Sequence, residues 1–486
     1  MPGTSIPAAI VGEDRLGSAD DMASFSGDCS PARPMQPCGV VKPHSADEVR
    51  RIVLWANETR TPLIPVSSGL PHFHGDTVPG TGGAWILDLS HMKRILRIDR
   101  RNRNAMIEPG VTFGELIPAL ASQALAPLIP RTPRAAKSVV AAFLERTPIT
   151  APRHHWEPQD PLQCVEVIYG NGDLMRTGSA AGPGTLEEQW KVGRAQVRGM
   201  GPSQVDFTRL LQGAQGSMGI VTWATIRCRP LPRVRKAFLA AGTDIEPLIE
   251  LAYRITYKKL GEDLLILSGT ELARMLGMES PSPRAAGPRL PPWILYLGID
   301  GDGLFPEDKV AYQEREAARL AGGLGLSLVD EVPGLPADEL AALLSRPSRE
   351  PCGTIDRKGG LRDILFLTTL DRSPEFIREM REQARRAGFP WDRVGVYLQP
   401  ILQGCNAHLE FGLTYDPGDL NEKDAAERLV REGAEAMAAL GGFFSRPYGD
   451  WSRFAFDPEG MHVSALRKLK AIFDPDGILN PGKLCF

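Results

Sequence analysis

Residues 66–76 read Val66-Ser67-Ser68-Gly69-Leu70-Pro71-His72-Phe73-His74-Gly75-Asp76, small and turn-forming residues directly behind the strand-like text LIPV. Small side chains and free backbone N–H groups let such a loop wrap a diphosphate without obstruction. It is not G-x-G-x-x-G, and no helical pattern opens behind it, which argues against a Rossmann dinucleotide site. Gly and Ser serve plain turns equally well, so taken alone the loop fits a structural turn or a cofactor loop.

Working outward, VVKPHSADEVRRIVLWANETRTPLIPVSSG (40–69) reads strand, helix, strand. Ser45 is placed to cap the helix, with Glu48 three residues on to complete a capping box. Ile52, Val53, Trp55 and Ala56 then supply apolar positions near helical spacing. Strands follow at AWILDLS, ILRID and NAMIEPGV, and Thr112 with Glu115 forms a second capping box. CVEVIYG runs through an Asn171-Gly172 turn into DLMRTG, a hairpin signal, and IVTWATIRCRP is a further strand. Past Arg233 the text mixes amphipathic helices (EFIREMREQARRAG, DAAERLVREGAEAMAALGG) with strands (PWILYLGID, DILFLTTL, VGVYLQP, AHLEFGLTY), an α+β pattern of sheet covered by helices. MESPSPRAAGPRLPP reads as a loop. A last helix, around His462 to Phe473, leads into the turns DPDG and NPG.

Two more segments carry chemistry. In Leu211–Thr222, Gly213, Gly216 and Gly219 recur at spacing three, which lets a backbone approach a flat ring or a diphosphate; a ligand-free strand entry has the same composition. In Phe473–Lys483 two rigid turns hold the Lys483 ammonium where it can meet developing negative charge, or form a surface turn.

A chain of 486 residues exceeds one core, so two or three packed units are expected. A net charge of -3 provides no basic excess for nucleic acid. Arg97, Arg100, Arg101 and Arg103, then Arg227, Arg229, Arg233 and Arg235, read as solvated strand ends. No apolar run is long enough for a membrane span, and no signal peptide is read. The seven cysteines form no C-x-x-C pair, which argues against an iron–sulfur or structural zinc site. Reduced thiols in a cytoplasmic protein are expected. His154 and His155 lack a third ligand at useful spacing, so no metal is assigned.

Together, the three segments in this order resemble the FAD-binding domain of the vanillyl-alcohol oxidase/p-cresol methylhydroxylase (PCMH) superfamily. The resemblance implies an α+β fold: a two-lobed PCMH-type FAD-binding domain at 1–232, an α+β substrate or cap domain at 233–445 with an antiparallel sheet over the flavin, and a C-terminal segment, 446–486, returning to the FAD domain. It implies FAD contacts at Ser67, Ser68, Gly69, Leu70 and His72, and at Gly216, Gly219 and Ile220. Ser138 and Glu145 belong to a segment that looks like the second flavin-contacting one, and Lys483 would face a reduced flavin. His155-Trp156 and CVEVIYGNGDLMRTG are similar to the vanillyl-alcohol oxidase branch in particular.

Tyr448-Gly449-Asp450-Trp451-Ser452 occupies the place of that branch's G-E-Y-R segment, with Trp451 and Ser452 where a tyrosine and an arginine meet a phenolate. Pro133 stands for an acidic residue near flavin N5, and His74 for a second phenolate tyrosine. The scaffold therefore transfers and the phenolate chemistry does not. For catalysis there remain His408 and Glu410 of AHLEFGL, on one face of a strand. His408 falls near the place where the vanillyl-alcohol oxidase branch carries its covalent flavin-histidine link, and it resembles the last His of the G-D-G-N-L-H motif of D-lactate and glycolate dehydrogenases, which Gly404, Cys405 and Asn406 keep in part. A neutral His beside a carboxylate acts as a general base; a half-exposed strand pair without catalytic role is the other reading. His72 and His74 are rival sites for covalent FAD. Trp451 and Tyr448 read as pocket walls or as core aromatics.

The expected activity is an FAD-dependent oxidoreductase that removes a hydride from a carbon next to oxygen in a small aromatic or hydroxylated substrate. The alternatives are a 2-hydroxy-acid dehydrogenase, with Arg453 as the nearest carboxylate clamp, and a flavoprotein subunit that passes electrons to an iron–sulfur or cytochrome partner. A homo-oligomer is compatible with each.

Overall fold

In the computed structural model, which describes residues 5–152, 161–202, 205–278, 290–348 and 360–486, three larger sheets follow one another along the chain, besides a two-stranded one, Glu331–Val332 with Leu335–Pro336. The first is parallel, in the order Gly39–Val41, Trp85–Asp88, Leu63–Val66. Helix Ala46–Thr59 connects two of its strands and buries Val49, Ile52, Val53, Trp55 and Ala56, the apolar face that the spacing predicts. Ser45 caps it, accepting the Glu48 N–H at 3.2 Å. The box is not closed, however, because the Glu48 carboxylate turns to the His44 N–H and to Arg15, each at 2.7 Å. Arg15 takes both oxygens of that carboxylate and the His44 N–H one of them, in place of the Ser45 N–H. The Thr112–Glu115 box does form.

The second sheet is antiparallel: Ile95–Asp99, Asn104–Ile107, Ile220–Pro230, Leu162–Ile168 and Leu174–Arg176, with Leu125–Pro127 paired to the end of the long strand. The last two strands are the expected hairpin, closed by Tyr169 N–H donating to Asp173 O at 2.9 Å with Gly172 at φ 83°. The third sheet runs Val234–Gly242, Trp293–Gly301, Asp263–Ser268, Val394–Ile401, Asn406–Tyr415, Gly360–Thr368, antiparallel throughout. Along Asn406–Tyr415 the strand period sends Leu409, Phe411 and Leu413 into a core with Phe366 and Phe376. His408, Glu410 and Gly412 take the opposite face. The chain then returns through helix Met461–Phe473, and Leu479 pairs in parallel with Leu63 of the first sheet.

Among the described residues, no helix is long and apolar enough to cross a membrane, no cluster is placed to hold a metal, and six cysteines are free. His154, His155, Trp156, Cys352 and most of the Pro-rich stretch expected as a loop lie outside the described residues.

One expectation is corrected. Arg97, Arg100, Arg101 and Arg103 are exposed, but Arg229 and Arg235 are not solvated strand ends. They turn inward where the second sheet hands over to the third, and meet Asp263 and Asp300. Thr150 also donates to Asp263 at 2.6 Å. Burial works against the Asp263 charge, but the two arginines outweigh it and hold this carboxyl below its ordinary range. Removing one partner of such a buried set leaves charge uncompensated, at about 3–5 kcal/mol. Asp263→Asn is therefore expected to lower the thermal midpoint by several degrees, whereas replacing exposed Arg101 leaves it within error; differential scanning calorimetry of both variants checks this.

Candidate active site

The three segments singled out in the sequence converge on one cleft of ≈ 820 Å³, roofed by the third sheet. That volume lies in the upper part of the range for ligand sites, roughly 300–1,000 Å³. The tail does the joining. Asn480 donates from Nδ2 to Asp76 O at 2.9 Å and to Gln215 O at 2.7 Å, tying the first loop to the glycine-rich one. Lys483 donates to Gly75 O at 2.7 Å and Val78 O at 2.9 Å. Burial lowers the Lys483 pKa, and with two donors committed to carbonyls this ammonium holds the loop's shape while lining the cleft.

The loop is built to receive an anion. Of the backbone N–H groups from Ser68 to Asp76, those of Gly69 and Gly75 have partners among the described residues: Ala136 O at 2.9 Å and the Asp28 carboxylate at 2.6 Å. The others, Pro71 having none, meet no acceptor among the described residues, as a diphosphate cradle requires. His72 lines the same wall with a buried, unpartnered Nε2. Burial, then Lys137 and Arg134, push its pKa down to about 4, so the ring is neutral. Gly216, at φ 72°, has no room for a side chain: a Cβ there would stand 2.5 Å from Pro65.

Ser67, Ser68, His72, Glu145, Gly216, Gly219, Ile220 and Lys483 line the cleft. Gly69, Leu70 and Ser138 are not among its lining residues. Gly69 is turned to Ala136, Leu70 is 49% exposed, and Ser138 is sealed, capping helix Val139–Leu144 and donating its N–H to the Ser68 hydroxyl at 3.2 Å. These three shape the walls from behind.

On the roof, His408 and Glu410 do share one face, with Nε2 and Oε2 3.1 Å apart. Only Glu410 reaches the cleft; His408 is 1% exposed and does not line it. The other oxygen of Glu410 accepts from Arg131 at 2.9 Å, and the Arg131 guanidinium also pairs with Glu271 and lies 3.9 Å over the Tyr397 ring. Burial opposes the Glu410 charge, yet Arg131 and the His408 hydrogen bond outweigh it and hold the carboxyl well below the carboxylate range. Burial pushes the His408 pKa down. The general-base expectation for this pair is therefore poorly matched: one member is screened from the cleft and the other is a very weak base.

The tail supplies the two aromatics expected from the sequence, Trp451 and Tyr448, and one residue not expected from it, Arg446. Trp451 packs on Phe444 at 5.5 Å and forms part of the wall. Tyr448 stacks face to face on His74, centroids 4.2 Å apart. Burial raises its pKa well above that of an ordinary phenol, so the hydroxyl keeps its proton. Arg446, 6% exposed, lines the cleft and makes no side-chain hydrogen bond or ion pair to any described residue. Arg453, the clamp expected from the sequence, is a rim residue, 55% exposed at the side chain and paired with Glu435 at 2.5 Å. Arg446 lies two residues upstream of the Tyr448–Ser452 segment.

Comparison with known proteins points the same way. A family described as FAD binding domain matches residues 37–178, and one described as FAD linked oxidases, C-terminal domain, matches residues 367–484. The chain is 26% identical to the glycolate oxidase subunit GlcD of Bacillus subtilis (strain 168), over 95% of this chain and 91% of that protein. It is 28% identical to the mitochondrial D-lactate dehydrogenase [cytochrome] of Arabidopsis thaliana, over 92% of this chain and 73% of the relative. A crystal structure of p-cresol methylhydroxylase with substrate bound superposes with a TM-score of 0.82 at 19% identity, over 99% of this chain and 96% of that one, which establishes the fold. FAD is the cofactor, and the unpartnered amides, the orphaned His72 nitrogen and the size of the cleft fit it.

Losing a buried hydrogen-bonding group costs about 1–3 kcal/mol. Asn480→Ala, which unties the two loops, is expected to weaken FAD retention roughly tenfold or more, while Leu70→Ala leaves it unchanged. Flavin-to-protein absorbance ratios after dialysis, followed by FAD titration of the stripped protein, measure both.

Proposed function

Because this chain belongs to the PCMH-type superfamily of FAD-linked oxidases, we propose that it oxidises a small hydroxylated molecule whose anionic group, a carboxylate or a phenolate, is held by Arg446 and Tyr448. The observation that carries this is the state of Arg446. A guanidinium taken almost wholly out of water, with no partner among the described residues, is costly unless a ligand supplies the counter-charge. A carboxylate or phenolate oxygen does so through charge-assisted hydrogen bonds, with the Tyr448 hydroxyl as a second donor into the same space.

The rest of the site follows from what each side chain can do. Bound FAD supplies the two-electron acceptor. Its diphosphate would be held by the loop amides and by the segment around Gly216 and Gly219, with His72 beside it. Lys137, paired with Glu145, leaves that wall close to neutral. Arg131, clamped between Glu271 and Glu410, presents a fixed positive face to the cleft. Trp451 limits the width of what enters. The six free thiols fit a reducing compartment, and we place the protein in the cytoplasm.

A second reading, a flavoprotein that hands electrons to a partner, is favoured by the names of two relatives, an oxidase subunit and a dehydrogenase that names a cytochrome. It concerns the acceptor and leaves the substrate site as described.

Anaerobic bleaching of the flavin bands by glycolate, D-lactate, 4-methylphenol and 4-hydroxybenzyl alcohol tests the proposal. One chemical group, hydroxy acids or phenols, is expected to bleach the holoprotein. Arg446→Met is expected to weaken that response roughly ten- to hundredfold, the worth of about 1.5–3 kcal/mol for a hydrogen bond to charge. Equal bleaching by the variant would remove the clamp. Reoxidation by air against reoxidation by cytochrome c then separates oxidase from electron donor.

A further inference from the structure

We infer that His74, oriented by Asp363, is the group that takes the proton from the substrate hydroxyl. The inference rests on the substrate reading above and assigns its base. His74 lines the cleft on the first loop, and Asp363 lines it from strand Gly360–Thr368 on the roof. His74 Nε2 stands 3.4 Å from Asp363 Oδ2, long for a hydrogen bond and within ion-pair range. On its other side the imidazole lies flat against Tyr448, 11° from parallel, so its orientation is held by a ring and a carboxylate at once. Nδ1 has no hydrogen-bond partner among the described residues and is not sealed from the cleft. That is the arrangement of a base whose far nitrogen is held by an acid while the near one faces substrate.

The charges around the ring agree. Burial opposes protonation, and Arg446 adds to that; Asp363 from the roof and Asp76 from the same loop outweigh both, and the pKa is raised above the ordinary histidine value. Glu145, held by Lys137, faces the same cluster. Tyr448 stays protonated and adds no charge. Above its raised pKa the imidazole is neutral and able to accept a proton, with Asp363 positioned to stabilise the cation formed. His408 also has a carboxylate on its Nε2, from Glu410, but it does not line the cleft.

In the assigned step the alcoholic O–H bond of the substrate breaks and an N–H bond forms on Nδ1. The adjoining carbon loses its hydrogen together with two electrons, which the FAD of the assigned reaction takes up, and the oxygen's electron pair is drawn toward a double bond with carbon. Substrate is oxidised by two electrons and the cofactor reduced by two.

His74→Gln holoprotein is expected to bleach roughly 10²–10⁴-fold more slowly than the parent at pH 8, the usual worth of a positioned base. Its flavin content and its benzoate affinity, read from the flavin spectrum, are expected to be unchanged. Asp363→Asn is expected to move the acidic limb of the bleaching profile to lower pH, because the carboxylate that raises the histidine pKa is gone. A His74→Gln rate within threefold of the parent, or an unmoved limb, overturns the assignment. NMR titration of histidine-labelled holoprotein, with His74 identified by its loss in His74→Gln, gives a second readout that needs no substrate. A His74 midpoint at or below the ordinary value, or one unaffected by Asp363→Asn, overturns the dyad. Failure of the substrate reading looks different: the parent holoprotein bleaches with no compound of the panel while His74 still titrates as expected.

Discussion

A buried ion pair near the end of the chain sets the geometry on which everything else depends. Lys470 and Asp474 sit one helical turn apart at the close of the last helix, 8% and 2% exposed. The Lys470 ammonium also donates to Ser217 O and, at 3.0 Å, to Leu479 O; Asp474 accepts the N–H groups of Ile478 and Leu479 at 3.0 and 2.9 Å. Every lone pair and proton that matters has a partner, the condition under which a buried pair can specify a geometry instead of merely costing desolvation. Gly170 is part of the same design, since a Cβ there would lie 2.2 Å from the Asp474 carboxylate. Its result is a tail held against the first sheet, with Asn480 and Lys483 delivered to the two loops that line the cleft. Cofactor loops far apart in sequence are thus spaced by a segment that is itself locked from both ends.

The second constraint is the distribution of positive charge. Arg131 is spent on Glu271 and Glu410, Arg134 donates to the carbonyls of Gly69 and Pro71, and Arg453 is paired at the rim. These residues build walls. Arg446 lies among them with its guanidinium unclaimed by any described residue, and the ring on which Tyr448 stacks is a histidine rather than a second phenol. A cleft organised in this way asks for an anion and offers a base beside it.

Much of the fold was legible because its signals are local. Periodicity gave helix Ala46–Thr59 and strand Asn406–Tyr415, Asn171-Gly172 gave a hairpin, and Thr112 with Glu115 gave a cap. The convergence of three loops was readable through resemblance, since no local rule brings residue 480 to residue 76. What escaped were features decided by partners distant in sequence. The inward turn of Arg229 and Arg235 depends on Asp263 and Asp300, which nothing near them announces. The failure of the Ser45 capping box depends on Arg15, thirty-three residues away from Glu48. Strand period correctly put His408 beside Glu410, but depth along the strand is invisible to a period of two, and depth is what removes His408 from the cleft.

A roof strand carries a row of side chains on its cleft face, and the row enters the cleft at one end and the core at the other. His408 pairs across with Leu367 and Gln399, Glu410 with Leu365 and Tyr397, and Gly412 with Asp363. Moving along this row from His408 to Gly412 goes from a sealed imidazole, through a carboxylate half in the cleft, to a position with no side chain opposite a carboxylate that lines it. The absence of bulk at Gly412 and the presence of Asp363 across from it mark where the roof comes within reach of the floor. His74 meets it there from below. A histidine on the floor and an acid on the roof can associate only when the two sheets are held at this spacing, so the proton-handling pair and the tail that sets the spacing are parts of one arrangement.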